Sequence, residues 1–255
     1  MQLAQRREKL KSGMPTDGMI IVVGLPKSGK TSLAASIQDS LLIEMEKGGA
    51  DRVAGRIQDV GTLDELREVL KAAVAEPSIK AIAIDSVDVL SDLFENEVAR
   101  AAGLANINER KAGVDGFALW ADLRRKFESL VSYLKASDKL IVLVAHCREP
   151  KLDADGKLIS PAGINTPGKI GGYLAAQADA IGHCFKKQIG SATQYFISFQ
   201  GGPLGIWGSR IPELEVKIVQ LPRENPWSAI EAVFKAEPKP AEAKPATKPQ
   251  GGLKK

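Results

Sequence analysis

The sequence predicts an α/β fold: a mostly parallel central sheet with helices on both faces and an antiparallel extension. Three observations predict it. Unbroken apolar runs of strand length recur at residues 20–23, 81–84 and 140–145, each ending in a glycine or a polar residue. Strands buried on both faces read this way. Between the runs lie segments with apolar residues at helical spacing, such as Leu63, Leu66, Val69, Leu70, Ala73 and Val74. Such alternation builds parallel strand–helix–strand units. Beyond residue 180 the strand patterns 180–185, 194–200 and 214–220 follow one another with no long helix between them.

In chain order, residues 1–18 form a short basic arm closed by the turn cluster Met14-Pro15-Thr16-Asp17-Gly18. Strand one, 19–23, runs into Gly24-Leu25-Pro26-Lys27-Ser28-Gly29-Lys30-Thr31-Ser32 and then a helix to about residue 39. G-x-x-x-x-G-K-T between a strand and a helix is the phosphate-binding P-loop. Backbone N–H groups from Gly24 through Ser32, with Pro26, Lys27, Ser28 and Gly29 shaping the loop, surround a triphosphate. Lys30 reaches the β and γ phosphates, and the Thr31 hydroxyl holds Mg²⁺. The cofactors expected are therefore ATP and Mg²⁺.

Strand two, 40–46, is expected beside the P-loop strand and ends in Lys47-Gly48-Gly49. A carboxylate at that strand end can orient a water at the γ phosphate. Glu46 is the candidate, with Glu44 as the alternative on the same face. Residues 57–60 read as a short edge strand. Thr62 and Glu65 form a capping box for the helix that Pro77 stops. Strand three, 80–85, delivers Asp85 in the manner of a Walker B aspartate, which serves the Mg²⁺ shell.

A helix over 87–100 follows, then a glycine-bearing mobile loop over 101–116, then a long helix with the stripe Trp120, Leu123, Phe127, Leu130, Val131 and Leu134. That stripe is core packing rather than a base-stacking platform. Strand four, 139–145, carries His146 at its tip, placed to sense the γ phosphate by hydrogen bonding. Residues 147–172 read as a long insertion: a hairpin around Asp155-Gly156, then a flexible polar loop with Lys169. Arg210 follows a rigid turn, from which it can reach a neighbouring subunit's nucleotide. A short helix over 226–234 closes the domain. The Lys-, Pro- and Ala-rich residues 235–255 cannot bury enough surface to fold.

Composition excludes several classes. No apolar run approaches the ~20 residues of a membrane span, and the N-terminus lacks a secretory h-region; a cytoplasmic location is expected. The net charge of +4 sits at the two ends, on a slightly acidic body. His146-Cys147 and His183-Cys184 repeat a metal-like pair, yet neighbours along a strand face opposite ways. Buried unpaired thiols are the expectation there.

The order of P-loop, strand-end glutamate, Walker B aspartate, polar-tipped strand and glycine-rich loop over residues 19–220 resembles the core of RecA-type recombination ATPases. It is most similar to the compact phage-type members described as AAA-family or Sak-type single-strand annealing ATPases. The resemblance rests on residues 24–32, Ile43-Glu44-Met45-Glu46, Ile84-Asp85-Ser86 and Val144-Ala145-His146. It implies that Glu46 activates the attacking water and that Asp85 is the Walker B residue. It also implies that 101–116 and 148–171 stand where DNA-binding loops lie, with Arg210 near the segment that supplies cations across a subunit interface. His146 stands where recombinases usually have glutamine. The resemblance further implies single-stranded DNA as partner, self-association into a ring or filament, a single-strand-binding protein as a possible further partner, and a bacterial host cytoplasm for a phage-encoded member. The rival readings are a P-loop ATPase with a protein client, a small-molecule kinase and a nucleotide-binding scaffold without turnover. The lack of an arginine-rich lid counts against the kinase.

Overall fold

The computed structural model describes residues 13–235. The basic arm before residue 13 and the tail after residue 235 lie outside the described residues. Twelve strands and six helices are found among those described. The central strands are β1 (Gly18–Gly24), β2 (Ser40–Glu44), β3 (Ile57–Asp59), β4 (Ala81–Asp85), β5 (Leu140–Arg148) and β9 (Ala180–Ile189). They are joined by β8 (Gly163–Ile164), β10 (Ala192–Ser198), β11 (Gly208–Ser209) and β12 (Ile218–Leu221), while β6 (Lys151–Leu152) and β7 (Leu158–Ser160) pair apart. The helices are α1 (Lys30–Ala35), α2 (Leu63–Ala75), α3 (Val87–Ala101), α4 (Gly116–Lys135), α5 (Ile170–Gln177) and α6 (Trp227–Lys235).

The sheet order is β12-β10-β9-β1-β5-β4-β2-β3, with β11 on β9 and β8 on β5. The pairs β9–β1, β1–β5, β5–β4, β4–β2 and β2–β3 are parallel. The strands β10, β11 and β12 are antiparallel, so the expected fold class is the one found. One expectation is overturned. Strand β2 does not lie beside β1; β5 and β4 stand between them. The long crossover from β4 through α3 and α4 returns β5 into the gap next to the P-loop strand.

Alternate residues of the central strands feed two cores. Met19, Ile21, Val23, Ile43 and Ile84 pack with Leu66, Leu70, Phe94, Phe127 and Leu174 of α2–α5. Ile20, Val22, Leu42, Ala83 and Val142 pack with Leu33 of α1 and Trp227 and Ile230 of α6. Thr62 caps α2 by the predicted box: its hydroxyl accepts from Glu65 N, and Glu65 accepts from Thr62 N. The Ser36 hydroxyl, just past α1, accepts from Trp227 N at 3.0 Å and ties the last helix to the first.

The predicted loops are more ordered than their glycines suggested. Leu104 and Ile107 are buried, so 102–115 folds onto the core rather than hanging free. Residues 161–170 are likewise no flexible loop: Ala162, Ile164, Thr166 and Ile170 are buried, β8 pairs with the end of β5, and α5 starts at Ile170. The hairpin around Asp155-Gly156 is present, with Asp153 Oδ1 accepting from Asp155 N and Lys157 N. Strand 214–220 shortens to Ile218–Leu221 because Leu214 is buried in a turn.

The segment holding β6–β8 leaves the sheet at the P-loop edge, from the end of β5. Residues 102–115 lie between α3, which starts at that edge just after Asp85, and α4, which leads into β5. Helix α3 packs on α4, with the Phe94 ring edge-on to Phe127. Among the described residues no helix is long and apolar enough to cross a membrane.

Candidate nucleotide site

The loop from Gly24 to Thr31 needs its glycines. A Cβ on Gly24 would fall 2.4 Å from the Cys184 carbonyl oxygen and 2.6 Å from Ser28 Oγ. Gly29 sits at φ 90°, in the left-handed region that glycine enters without strain. Ser28 Oγ is buried with no hydrogen-bond partner, an unsatisfied donor inside the cradle. Lys30 is buried at the head of α1, and its ammonium donates to Leu25 O at 3.1 Å. Burial pulls its pKa below the ordinary lysine value, opposed by the nearby Asp85, Cys184, Glu46 and Asp88.

Thr31 Oγ1 donates to Asp85 Oδ2 at 2.6 Å. Burial raises the Asp85 carboxyl above the usual range; the Thr31 hydrogen bond opposes this and the charge of Glu46 adds to it. A dicarboxylate neighbourhood held beside a hydroxyl is a hard-oxygen set suited to Mg²⁺. With the unpartnered Ser28 hydroxyl and the Gly24 cradle, these residues fit a nucleoside triphosphate and its Mg²⁺. Lys30 and the loop would hold the phosphates, and Thr31 and Asp85 the metal. When bound, the metal supplies charge neutralisation at the phosphates.

Although β2 lies three places from β1, Glu46 still reaches the site, because it follows the strand and turns inward. Its Oε1 accepts from Ser86 Oγ at 2.8 Å and lies 3.6 Å from His146 Nδ1. Glu44 does something else. It is buried, and its Oε1 accepts from Ala50 N at 2.6 Å, pinning the 45–50 turn. Burial raises its carboxyl, helped by Asp59 opposite it on β3. His146 is not at the strand's tip, because β5 runs on to Arg148 where it pairs with β8; it lies two residues short of the end, level with Gly24, on the strand between the Asp85 strand and the P-loop strand.

Sequence reasoning missed Asp88. Its Oδ2 accepts from His146 N at 2.8 Å and stands 3.4 Å from His146 Nδ1. Asp88 lies in the first turn of α3, where a carboxylate is favoured. The position three residues after the Walker-type aspartate was the available signal. Also missed was a cleft of about 710 Å³ beside the loop, lined by Lys27, Gly29, Ser32, Arg52, Tyr195 and Arg223. Its size and its aromatic and cationic lining suit a nucleoside adjoining the phosphates.

Arg210 is not brought to this site. Its backbone N donates to Asp179 O, and its guanidinium donates to Ala176 O at 2.9 Å. Asp179 accepts from Met19 N at the start of β1, so Arg210 lies at the edge opposite the P-loop. Lys169 precedes α5, which starts at the P-loop edge. Of the two paired histidine-cysteine steps, Cys184 is buried and its thiol is pushed up to about 12, while Cys147 is half-buried.

A P-loop, a strand-end aspartate tied to its threonine, and a strand-end glutamate define the class of a P-loop ATPase. A family model described as an AAA domain matches residues 16–210, and the chain belongs to that family. No curated protein matches the chain. Among solved structures, a KaiC-like protein from the hyperthermophilic archaeon Pyrococcus horikoshii OT3 is similar at 11% identity and a TM-score of 0.43. The likeness covers 80% of this chain and 85% of that one.

Proposed function

We propose that the chain hydrolyses ATP by in-line attack of a water oriented by Glu46, and that it couples this to single-stranded DNA in recombination, annealing or repair. One observation carries the reading. The P-loop, Asp85, Glu46 and His146 gather at a single sheet edge, from which the 149–162 segment leaves and where α3, the helix leading to 102–115, begins. Glu46 takes its orientation from the Ser86 hydroxyl, which leaves its second oxygen for a water. Lys30 supplies positive charge where negative charge develops, and catalysis of this kind is positioning plus charge stabilisation. His146 contacts both Glu46 and Asp88, so it links the water-orienting group to the helix that leads to 102–115. Self-association into a ring or filament, with Lys169 or Arg210 acting on a neighbour, belongs to this reading, as does a cytoplasmic setting.

The test is the ATPase rate with and without single-stranded DNA, with Lys30→Ala as the blank. Stimulation by DNA is the expected result. Turnover that ignores DNA would transfer the role to a protein client, and an unchanged rate in Glu46→Gln would sink the mechanism.

A further inference from the structure

Strand β1 accompanies β9 only as far as Gly24 opposite Cys184. Beyond that point β9 and β10 continue as a two-stranded ribbon past the P-loop edge, turning at Gly190. Alternation puts His183, Phe185 and Lys187 on one face of β9, with Phe196 of β10 in register with Phe185. These rings form a ladder. Trp207 stacks on His183 at 4.2 Å and 13°, His183 on Phe185 at 5.8 Å and 26°, and Phe185 on Phe196 at 5.4 Å and 15°. Lys187 Nζ stands 5.4 and 5.9 Å from the two phenyl rings.

The ladder has a closed end and an open one. Trp207 lies flat on Gly205, where a Cβ would fall 2.1 Å from the indole, so that face is covered. Phe185 and Phe196 are partly buried and belong to neither core, and Lys187 is exposed. Lys187 shares the face of the rings and Lys186 follows on the other face, and residues 180–212 contain not one Asp or Glu. The closed end adjoins the second loop: Ile206 N donates to Ala162 O, and Gly163 lies between Ile206 and Arg148.

We infer that the Phe185–Phe196–Lys187 face of the β9–β10 ribbon is a stacking platform for single-stranded nucleic acid, separate from the two loops. The inference rests on the DNA reading above and deepens it. A strand face of partly exposed aromatics with a lysine over them accepts bases on the rings and phosphates on the lysine. Exposed Lys187 turns from the ring faces to the backbone when a base takes its place.

The experiment is a titration of the full chain with oligo-dT, followed by anisotropy of a labelled oligonucleotide and by tryptophan fluorescence. Phe185→Leu and Phe196→Leu should each weaken binding by about 5- to 10-fold, since a stacked base is worth roughly 1–3 kcal/mol. Phe185→Tyr, which keeps the ring, should bind like the parent. Lys187→Gln should lower the slope of log affinity against log salt by about 1. The DNA-free ATPase rate should hold in all four. If the leucine variants bind oligo-dT as the parent does, the platform is wrong and the DNA reading survives. If the parent itself fails to bind, both fall. If the leucine variants lose folding, an unchanged salt slope in Lys187→Gln overturns the platform by itself.

Discussion

Asp88→Ala is the most direct probe of how the site is held. Asp88 Oδ2 accepts the His146 backbone N–H at 2.8 Å in a part-buried setting. A hydrogen bond to a charged group contributes about 1.5–3 kcal/mol, and a first-turn carboxylate on α3 adds about 0.3–1 kcal/mol. Against this, Asp88 Oδ1 is buried without a partner, a cost that the alanine removes. The balance is a destabilisation of about 2 kcal/mol. In a domain of this size that is a fall in Tm of roughly 4–8 °C. Freed from its acceptor, the end of β5 shifts, and His146 loses its position 3.6 Å from Glu46. A displaced catalytic group costs up to about 100-fold in rate, so kcat should fall at least about 10-fold. Asp88→Asn keeps an acceptor for the same N–H and should stay within about 1 kcal/mol of the parent. Urea unfolding and steady-state ATP hydrolysis read both effects. A parent-like Tm and kcat in Asp88→Ala would refute the claim that this carboxylate positions the end of β5.

Two further outcomes follow from the same geometry. Gly24→Ala places a Cβ 2.4 Å from a backbone carbonyl oxygen that cannot swing away, so nucleotide affinity should fall at least about 10-fold and stability by about 1–3 kcal/mol, as read by nucleotide titration and thermal melting. Glu44→Gln keeps an acceptor for Ala50 N but removes a buried charge. The folded-state pKa of Glu44 is raised, so the stability it contributes is present below the unfolded carboxylate value of ~4.3 and is lost as pH rises through the raised value. Glu44→Gln should therefore be the more stable protein at pH 8, with the difference closing toward pH 4 in urea titrations.

Much of the fold was legible because its signals are local. The runs at 20–23, 81–84 and 140–145 are strands buried on both faces, and such strands cannot afford polar residues before their ends. The capping box at Thr62 and the glycine cradle at 24–29 likewise depend on neighbours within a few residues. What was not legible depends on strand order. Nothing within 40–46 tells that β5 and β4 separate it from β1, since parallel strands are joined by crossovers that can set them several positions apart. The glycines of 161–172 argued for mobility, yet Ile164 and Ile170 were apolar enough to dock that segment on the core. The ladder was hidden for the same reason: Trp207 and His183 meet only because β11 returns the chain to β9.

Strand order also explains how a glutamate after a strand three places from the P-loop strand still reaches the site. With β5 between β1 and β4, Gly24 lies level with His146 and Asp85 with Val144, two residues before it. Glu46 lies one strand further out, just past the end of β2, beside Ser86 at the head of α3. His146 spans the gap: its ring lies 3.6 Å from Glu46, and both its ring and its backbone N–H lie against Asp88. A movement of Glu46 therefore reaches β5 and α3 through contacts already made. Those two elements root the loops at 149–162 and 102–115. His146 thus touches Glu46, sits on the strand that leads into 149–162, and touches the first turn of the helix that leads to 102–115. That is the physical reason a substitution at Asp88, with no phosphate contact of its own, should be felt in turnover.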